Sequence, residues 1–147
     1  MDPRLIPPTL VVALIALFAC SAKPLTANDM PRPKAGLWLR SGIVNGAPTS
    51  GQPCFTGRPV SIPGSGNCAK ITYARTSSGF EIQAQCGDAI DGAHVTLSYA
   101  GDFQSSFTVD GRNEVRAEGQ PPLVDVSHNT YRYVGRCRPG QAPDDQN

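Results

Sequence analysis

Short segments of the chain alternate apolar and polar residues, and this period of two predicts β-strands, whose successive side chains point to opposite faces. Turn-forming residues separate the segments at intervals of about 8 to 12, which is typical of an all-β domain. The predicted strands are 36–44, 69–75, 79–86, a strand with Val95, Leu97 and Tyr99, a strand with Phe103, Phe107 and Val109, then 113–117 and 128–137.

The residues between these segments indicate how the strands connect. The dipeptide Asp110-Gly111 favours a tight hairpin turn. Residues 46–67 are so rich in glycine, proline and serine that we expect an irregular excursion with at most one turn of helix. The chain therefore predicts an antiparallel meander of about seven strands. Because a flat sheet would leave an apolar face in water, we expect an open barrel or a twisted sheet.

Composition agrees with an all-β domain and excludes some functions. The chain of 147 residues contains 15 glycines and 14 prolines, a share above the average for proteins, which disfavours long helices. The 13 basic and 12 acidic residues leave a formal charge of +1, without the basic surface that nucleic-acid-binding proteins carry. We therefore expect no nucleic-acid partner.

The amino-terminal residues predict export. Residues 10–19 are uncharged and mostly apolar, too short a stretch for a membrane-spanning helix but suited to a signal peptide over 1–19. The residues before Cys20 resemble the lipobox of bacterial lipoproteins, so Cys20 is the expected site of lipid attachment and the expected membrane anchor. Ser21 after it resembles the signal for the outer membrane. Two alternatives stay open, namely cleavage after Ala22 and removal of Cys20 with the leader.

The mature chain divides into three parts on composition. Residues 20–34 are small, polar or proline and predict a flexible tether. Residues 35–137 hold the strand segments and form the expected β domain. Residues 138–147 contain no large apolar residue and predict a disordered tail.

Four cysteines remain after export, Cys54, Cys68, Cys86 and Cys137, and none forms a Cys-x-x-Cys pair. Zinc sites and redox enzymes use closely spaced cysteines, so two structural disulfides are the better interpretation. Three pairings are possible. We expect Cys54 with Cys68, which closes the irregular excursion, and Cys86 with Cys137, which joins two strands.

The cysteines belong to a set of motifs that resembles a bacterial envelope family known as domain of unknown function 3617. The motifs are Ala35-Gly36-Leu37-Trp38, Pro53-Cys54-Phe55-Thr56, Asn67-Cys68, Gln85-Cys86, Ser98-Tyr99-Ala100-Gly101-Asp102-Phe103 and Tyr133-Val134-Gly135-Arg136-Cys137. The resemblance covers nearly the whole folded unit. It implies an envelope protein but no activity, because the family has no assigned catalytic residues.

Candidate chemistry in the chain is sparse. The two histidines, His94 and His128, lie on separate predicted strands, which is typical of half-exposed sheet residues. Asp88 and Asp91 are three residues apart in a turn and lack the further oxygen ligands of a calcium loop. We therefore expect no catalytic residue, no cofactor and no metal ligand.

These observations predict the function only broadly. We expect an exported protein of the periplasm, anchored to the outer membrane through Cys20, that is not an enzyme and acts as a structural or interaction module. Its expected partner is an unidentified envelope protein or lipid. The alternative is a carrier of a small apolar ligand or lipid in the barrel interior, lined by the aromatic residues that otherwise form the core. An interior void of about 300 Å³ or more would favour the carrier.

Overall fold

The computed structural model describes residues 23–88 and 90–144, which form one antiparallel sheet. The expected signal peptide and the expected lipid attachment at Cys20 lie outside the described residues, as does the end of the expected tail. The strands are β1 Gly36–Val44, β2 Ala47–Gly51, β3 Cys54–Phe55, β4 Cys68–Arg75, β5 Gly79–Gly87, β6 Gly92–Gly101, β7 Ser106–Arg116 and β8 Leu123–Gly135, with 3₁₀ helices at Ala27–Asp29 and Ser65–Asn67. Within this part of the chain no helix combines the length and apolar character needed to cross a membrane.

The eight strands lie in the order β2-β1-β8-β7-β6-β5-β4, with β3 also paired to β1. Strands β4 to β8 form a meander, and the first long strand, β1, then pairs with the last, β8. The sheet is not closed into a barrel. The prediction of an all-β, antiparallel open sheet with two disulfides is therefore confirmed.

The expected hairpin at Asp110-Gly111 is wrong. Both residues lie inside β7, where Gly111 is extended and pairs with Leu97 of β6 and Ser127 of β8. The expected return strand 113–117 is the end of β7 rather than a new strand. Unbroken ladders on both sides of β7 override the local turn preference of an Asp-Gly pair.

The excursion 46–67 contains more regular structure than expected. Asn45 and Gly46 both have positive φ, 48° and 81°, as a tight two-residue hairpin requires, and they connect β1 to β2. Pro48 is tolerated because β2 is an edge strand. The remainder includes β3 and the 3₁₀ turn at Ser65–Asn67, and it covers part of the sheet.

The expected disulfide pairing is also wrong. Cys54 bonds to Cys137, and Cys68 bonds to Cys86. Cys68 and Cys86 are directly paired across β4 and β5, with Cα atoms 3.9 Å apart. Cys54 lies in β3 beside β1, and Cys137 follows β8 on the other side of β1, which leaves their Cα atoms 5.5 Å apart. Strand pairing, not distance along the chain, decides which thiols meet.

The core lies on one face of the curled sheet, which we call the concave face. Trp38 of β1 is fully buried there and packs edge-on against Phe107 of β7 and Tyr133 of β8, with ring centroids 5.1 and 5.5 Å away. Phe107 also stacks on Tyr131 at 4.6 Å. Phe55 of the excursion closes over the same cluster. The aromatic residues thus fill this half of the interior, as the core interpretation expects.

Residues assigned to the tether and the tail pack against the domain. Met30 is 3% exposed, and the carbonyl of Pro31 accepts a hydrogen bond from the backbone of Val60. At the other end, the backbone of Asp144 donates to the carbonyl of Cys54, while its carboxylate accepts from the Cys54 N–H at 3.0 Å. The folded unit therefore extends beyond the expected boundaries at 35 and 137.

The turn between β6 and β7 is organised by Asp102. Its carboxylate accepts hydrogen bonds from the Ser105 hydroxyl and from the backbone N–H groups of Gln104, Ser105 and Ser106. These bonds, led by the Ser105 hydroxyl, hold the pKa of Asp102 far below its usual value. Phe103 has a positive φ of 57°, which turns its ring inward to stack on the core. The Asp102-Phe103 motif is thus a structural turn.

Candidate ligand cavity on the concave face

Part of the concave face is covered by other segments of the chain. The rows through Trp38, Phe107 and Tyr131 lie under the excursion and the amino-terminal segment. Farther along β7 and β8 the same face is open to solvent, and there Leu123 is 63% exposed and Val115 is 37% exposed. A binding site can form at the boundary between the covered and the exposed parts of the concave face.

A cavity of about 220 Å³ lies at this boundary, and we call it the Arg40 cavity. Its floor comes from the sheet and its roof from the proline-rich part of the excursion. The principal floor residues are Arg40, Leu97, Tyr99, Val109, Asn129 and Tyr131, and the roof residues are Pro59, Val60 and Pro63. Because strands supply the floor, its side chains are held in fixed register.

Arg40 is the charged floor residue, and it is held loosely. It projects inward from β1, directly opposite Tyr131 of β8. Its Nη2 lies 3.5 Å from the carbonyl oxygen of Ser50, which is a long hydrogen bond. Its Nε is buried and has no hydrogen-bond partner among the described residues. A side chain on Gly51 would press on the guanidinium, since an added Cβ would lie 3.2 Å from Nη2.

The two tyrosines of the floor are neutral hydrogen-bonding groups. Burial raises the pKa of Tyr99, whose hydroxyl donates to the carbonyl of Ser61 at 3.4 Å. Burial also raises the pKa of Tyr131, although the nearby Arg40 acts in the opposite direction. With both phenols protonated, the floor offers two hydroxyl groups, the Arg40 guanidinium and apolar surface. This arrangement suits binding of an anion that carries an apolar group.

Next to the cavity, a depression of similar volume, about 220 Å³, runs along the exposed part of the concave face. We call it the concave groove, and its lining includes Val44, Val95, Arg112, Asn113, Asp125 and Ser127. Leu97, Ser127 and Asn129 line both the groove and the cavity, which makes the two continuous. Gly111 keeps the floor low, because an added Cβ there would lie 2.5 Å from the Ser127 Oγ.

Two side-chain amide oxygens on this surface lack partners. The Oδ1 atoms of Asn113 and Asn129 are buried and accept no hydrogen bond from any described residue. Both oxygens lie beneath the surface, and that of Asn129 faces Gly42, where an added Cβ would be 2.6 Å from it, so a ligand in the groove does not reach them.

The residues considered for chemistry in the sequence do not converge on the cavity. His128 lies on the opposite, convex face, where its Nδ1 is 2.6 Å from the Asp110 carboxylate and both side chains are exposed. His94 also alternates onto the convex face, between Gln85 and Glu114. Asp88 accepts hydrogen bonds from the backbone of Ile90 and Asp91, which lower its pKa and mark a turn. Within residues 23–88 and 90–144, no three metal-ligating side chains are grouped.

Sequence reasoning missed Arg40, although a signal was present. In β1, Trp38, Arg40 and Gly42 share the inward register, so a charged residue falls where the alternation calls for an apolar one. An inward charge on a strand that faces the core is unusual and indicates a site or a pairing.

Comparisons with protein-family models, with curated proteins and with solved structures find no match to this chain. The resemblance to domain of unknown function 3617 therefore stays a prediction from the sequence motifs.

Proposed function

We propose that this is an exported bacterial envelope protein, anchored to the outer membrane through a lipid on Cys20, and that its β domain is a non-catalytic interaction module of the periplasm. Two disulfides support the export, since such bonds form and persist in oxidising compartments. The lipobox-like residues before Cys20 support the anchor. The concave face is the binding surface.

One observation carries this proposal: the excursion and the amino-terminal segment pack over the aromatic core of the concave face, whereas Leu123 and Val115, farther along the same face, are exposed. The exposed part carries the apolar side chains of Leu123 and Val115, and the Arg40 cavity lies at its edge. Exposed apolar side chains grouped on one surface are typical of binding sites.

A carrier of a small apolar ligand is the second candidate, and the cavity is the observation that favours it. Two features weigh against a carrier. Aromatic side chains fill the remaining interior, and about 220 Å³ is below the roughly 300 Å³ at which small-molecule pockets begin. On its other side the cavity adjoins a more open depression of about 660 Å³, which shares Arg40, Phe55, Pro63 and Tyr131 with it and is also lined by Asp144.

Site-specific photocrosslinking in intact cells tests the proposal. A photoreactive amino acid at Leu123, on the bare concave face, should give a discrete adduct with a partner protein. The matched control is Val134 of the same strand, which is 46% exposed on the convex face and should give none. Equal adducts from both positions, or adducts from Val134 alone, would contradict the proposal. Lipid adducts at Leu123 would favour the carrier.

A further inference from the structure

We infer that two copies of this protein associate by pairing their β4 strands, antiparallel and about a two-fold axis at Thr72. The inference goes beyond the proposed function, because it concerns an edge of the sheet and not the concave binding surface. Three features carry it: the free backbone of β4, the side chains that the pairing brings opposite each other, and the charges of Lys70 and Glu81.

Strand β4 is an edge strand whose outer backbone groups are unpaired. It pairs with β5 on one side, and no other described residue forms a backbone hydrogen bond with it. Its eight residues include neither proline nor glycine. At the other edge of the sheet, β2 has five residues and contains Pro48, and β3 has two. Short length and proline oppose pairing with a further strand, so β4 is the edge that is open to one.

The turn that follows β4 determines which of its backbone groups point outward. The Thr76 N–H donates to the Gly79 carbonyl at 2.9 Å, so these two residues form a hydrogen-bonded pair. Hydrogen-bonded and non-hydrogen-bonded pairs alternate along an antiparallel ladder. The even-numbered residues of β4 therefore bond to β5, whereas Ile71 and Tyr73 direct their N–H and carbonyl groups to the free edge.

A two-fold axis at Thr72 matches the free backbone of one copy to that of the other. Ile71 of each copy then lies opposite Tyr73 of the other, and each of these pairs exchanges two backbone hydrogen bonds. Both side chains are half-buried against the core on the concave face. Aromatic and β-branched side chains that face each other across strands stabilise a sheet. The concave faces of the two copies therefore lie on the same side of one continuous sheet.

Charges on the convex face favour this register. Lys70 is exposed and has no acidic partner among the described residues, and the Glu81 carboxylate accepts hydrogen bonds there from neutral side chains only. The axis at Thr72 places Lys70 of one copy opposite Ala74 of the other, and Ala74 pairs with Glu81. The Cβ atoms of Lys70 and Glu81 are then two strand spacings apart, about 10 Å, which the two side chains span across the small Ala74.

The two-fold axis forms this ion pair twice in each dimer. Moving the axis by one residue in either direction would shift Lys70 by about 7 Å along the strand, away from Glu81. The register at Thr72 therefore combines free backbone groups, apolar side chains and opposite charges.

Disulfide trapping tests the pairing on the full chain, purified after export with both native disulfides intact. The two copies of Thr72 form a non-hydrogen-bonded pair with Cα atoms about 4.5 Å apart, within the range of a disulfide. Under mild oxidation Thr72→Cys should form a covalent dimer at least about tenfold faster than Thr130→Cys, because pairing holds the new thiols together. The control residue Thr130 is also exposed on the convex face, but β1 and β7 flank it on both sides.

Charge reversal in the Thr72→Cys protein tests the register. Lys70→Glu and Glu81→Lys should each slow crosslinking by roughly tenfold, because two ion pairs in the dimer become repulsive contacts. The two substitutions together should restore most of the rate, since the exchanged charges are again opposite. Within one copy the two side chains lie four residues apart along the strands, about 14 Å, so this rescue requires a second copy.

Three results would overturn the inference. Equal crosslinking rates for Thr72→Cys and Thr130→Cys would show that β4 does not pair with itself. Failure of the charge exchange to restore the rate would contradict the register and its ion pairs. Crosslinks from Thr72→Cys to a different protein in intact cells, with none between copies, would assign the edge strand to another partner.

Discussion

Replacement of Trp38 tests how the excursion and the amino-terminal segment are attached to the sheet. Trp38 is fully buried, and its Nε1 donates a 2.9 Å hydrogen bond to the carbonyl of Lys34. Its ring packs edge-on against Phe55 of the excursion, with ring centroids 6.2 Å apart. The residue therefore joins both covering segments to β1, and its substitution should be felt by the whole domain.

The expected loss can be worked out for two substitutions. Trp38→Phe removes the donor to Lys34, which costs about 1 kcal/mol because that carbonyl lies near solvent. The smaller ring leaves a void of roughly 40 Å³, or about 1 kcal/mol at about 24 cal/mol per Å³. We expect about 2 kcal/mol for Trp38→Phe. Trp38→Ala also loses the ring contacts and should cost about 5 kcal/mol.

Urea denaturation followed by far-ultraviolet circular dichroism measures both variants. Trp38 is the only tryptophan, so fluorescence can follow the parent protein but not the variants. Val134→Ala, at an exposed position on the convex face, is the control and should stay within about 0.5 kcal/mol of the parent. If Trp38→Phe matched that control, Trp38 would not join the covering segments to the sheet.

Three further predictions address the bridges, the turn and the groove. Replacing Cys54 and Cys137 together by serine should lower the free energy of unfolding by about 4–5 kcal/mol, because that disulfide closes a loop of 83 residues. Removing the Cys68–Cys86 disulfide, which closes 18 residues, should lower it by about 3 kcal/mol. A larger loss from the shorter loop would contradict this ranking. The pKa of Asp102 is lower in the folded state than its unfolded value near 3.8, so Asp102 stabilises the domain above that pH and less as the pH falls. The loss of melting temperature caused by Asp102→Asn should therefore be largest at pH 7 and shrink below about pH 4. A loss that does not change with pH would contradict this prediction. Gly111→Val should destabilise the domain by about 1–3 kcal/mol and fill the groove, because the valine side chain would meet Ser127. An unchanged melting temperature would contradict this prediction.

The strands were predictable where a local pattern determines them. The limits of β1 at residues 36 and 44 follow from alternation and from the turn residues that end it. The same holds for β4 and β5, which match the predicted segments to within one residue. Alternation is a property of neighbouring residues, so a single sequence reports it well.

Features that depend on distant parts of the chain were not predictable. The pairing of β1 with β8 joins residues about 90 positions apart, and it decides that Cys54 meets Cys137. Nothing within either segment specifies the other. The interior of β7 at Gly111 shows the converse, since a strong local turn signal yields to two neighbouring strands.

The candidate site was the least predictable part of the molecule. Arg40 becomes a cavity residue only because Pro59 and Val60 fold back over the sheet, and the excursion that carries them has no periodic pattern. The sequence placed an unexpected charge on the inward face of β1, but it could not indicate what would cover it.

The central claim is that the domain folds outside the cytosol around two specific disulfides, and mapping those bonds tests it most directly. Thiols are alkylated in intact cells, and the purified protein is digested without reductant and analysed by mass spectrometry. We expect linked peptides for Cys54–Cys137 and Cys68–Cys86, with none of the four cysteines alkylated. Four alkylated cysteines in a protein that still melts cooperatively would contradict the account.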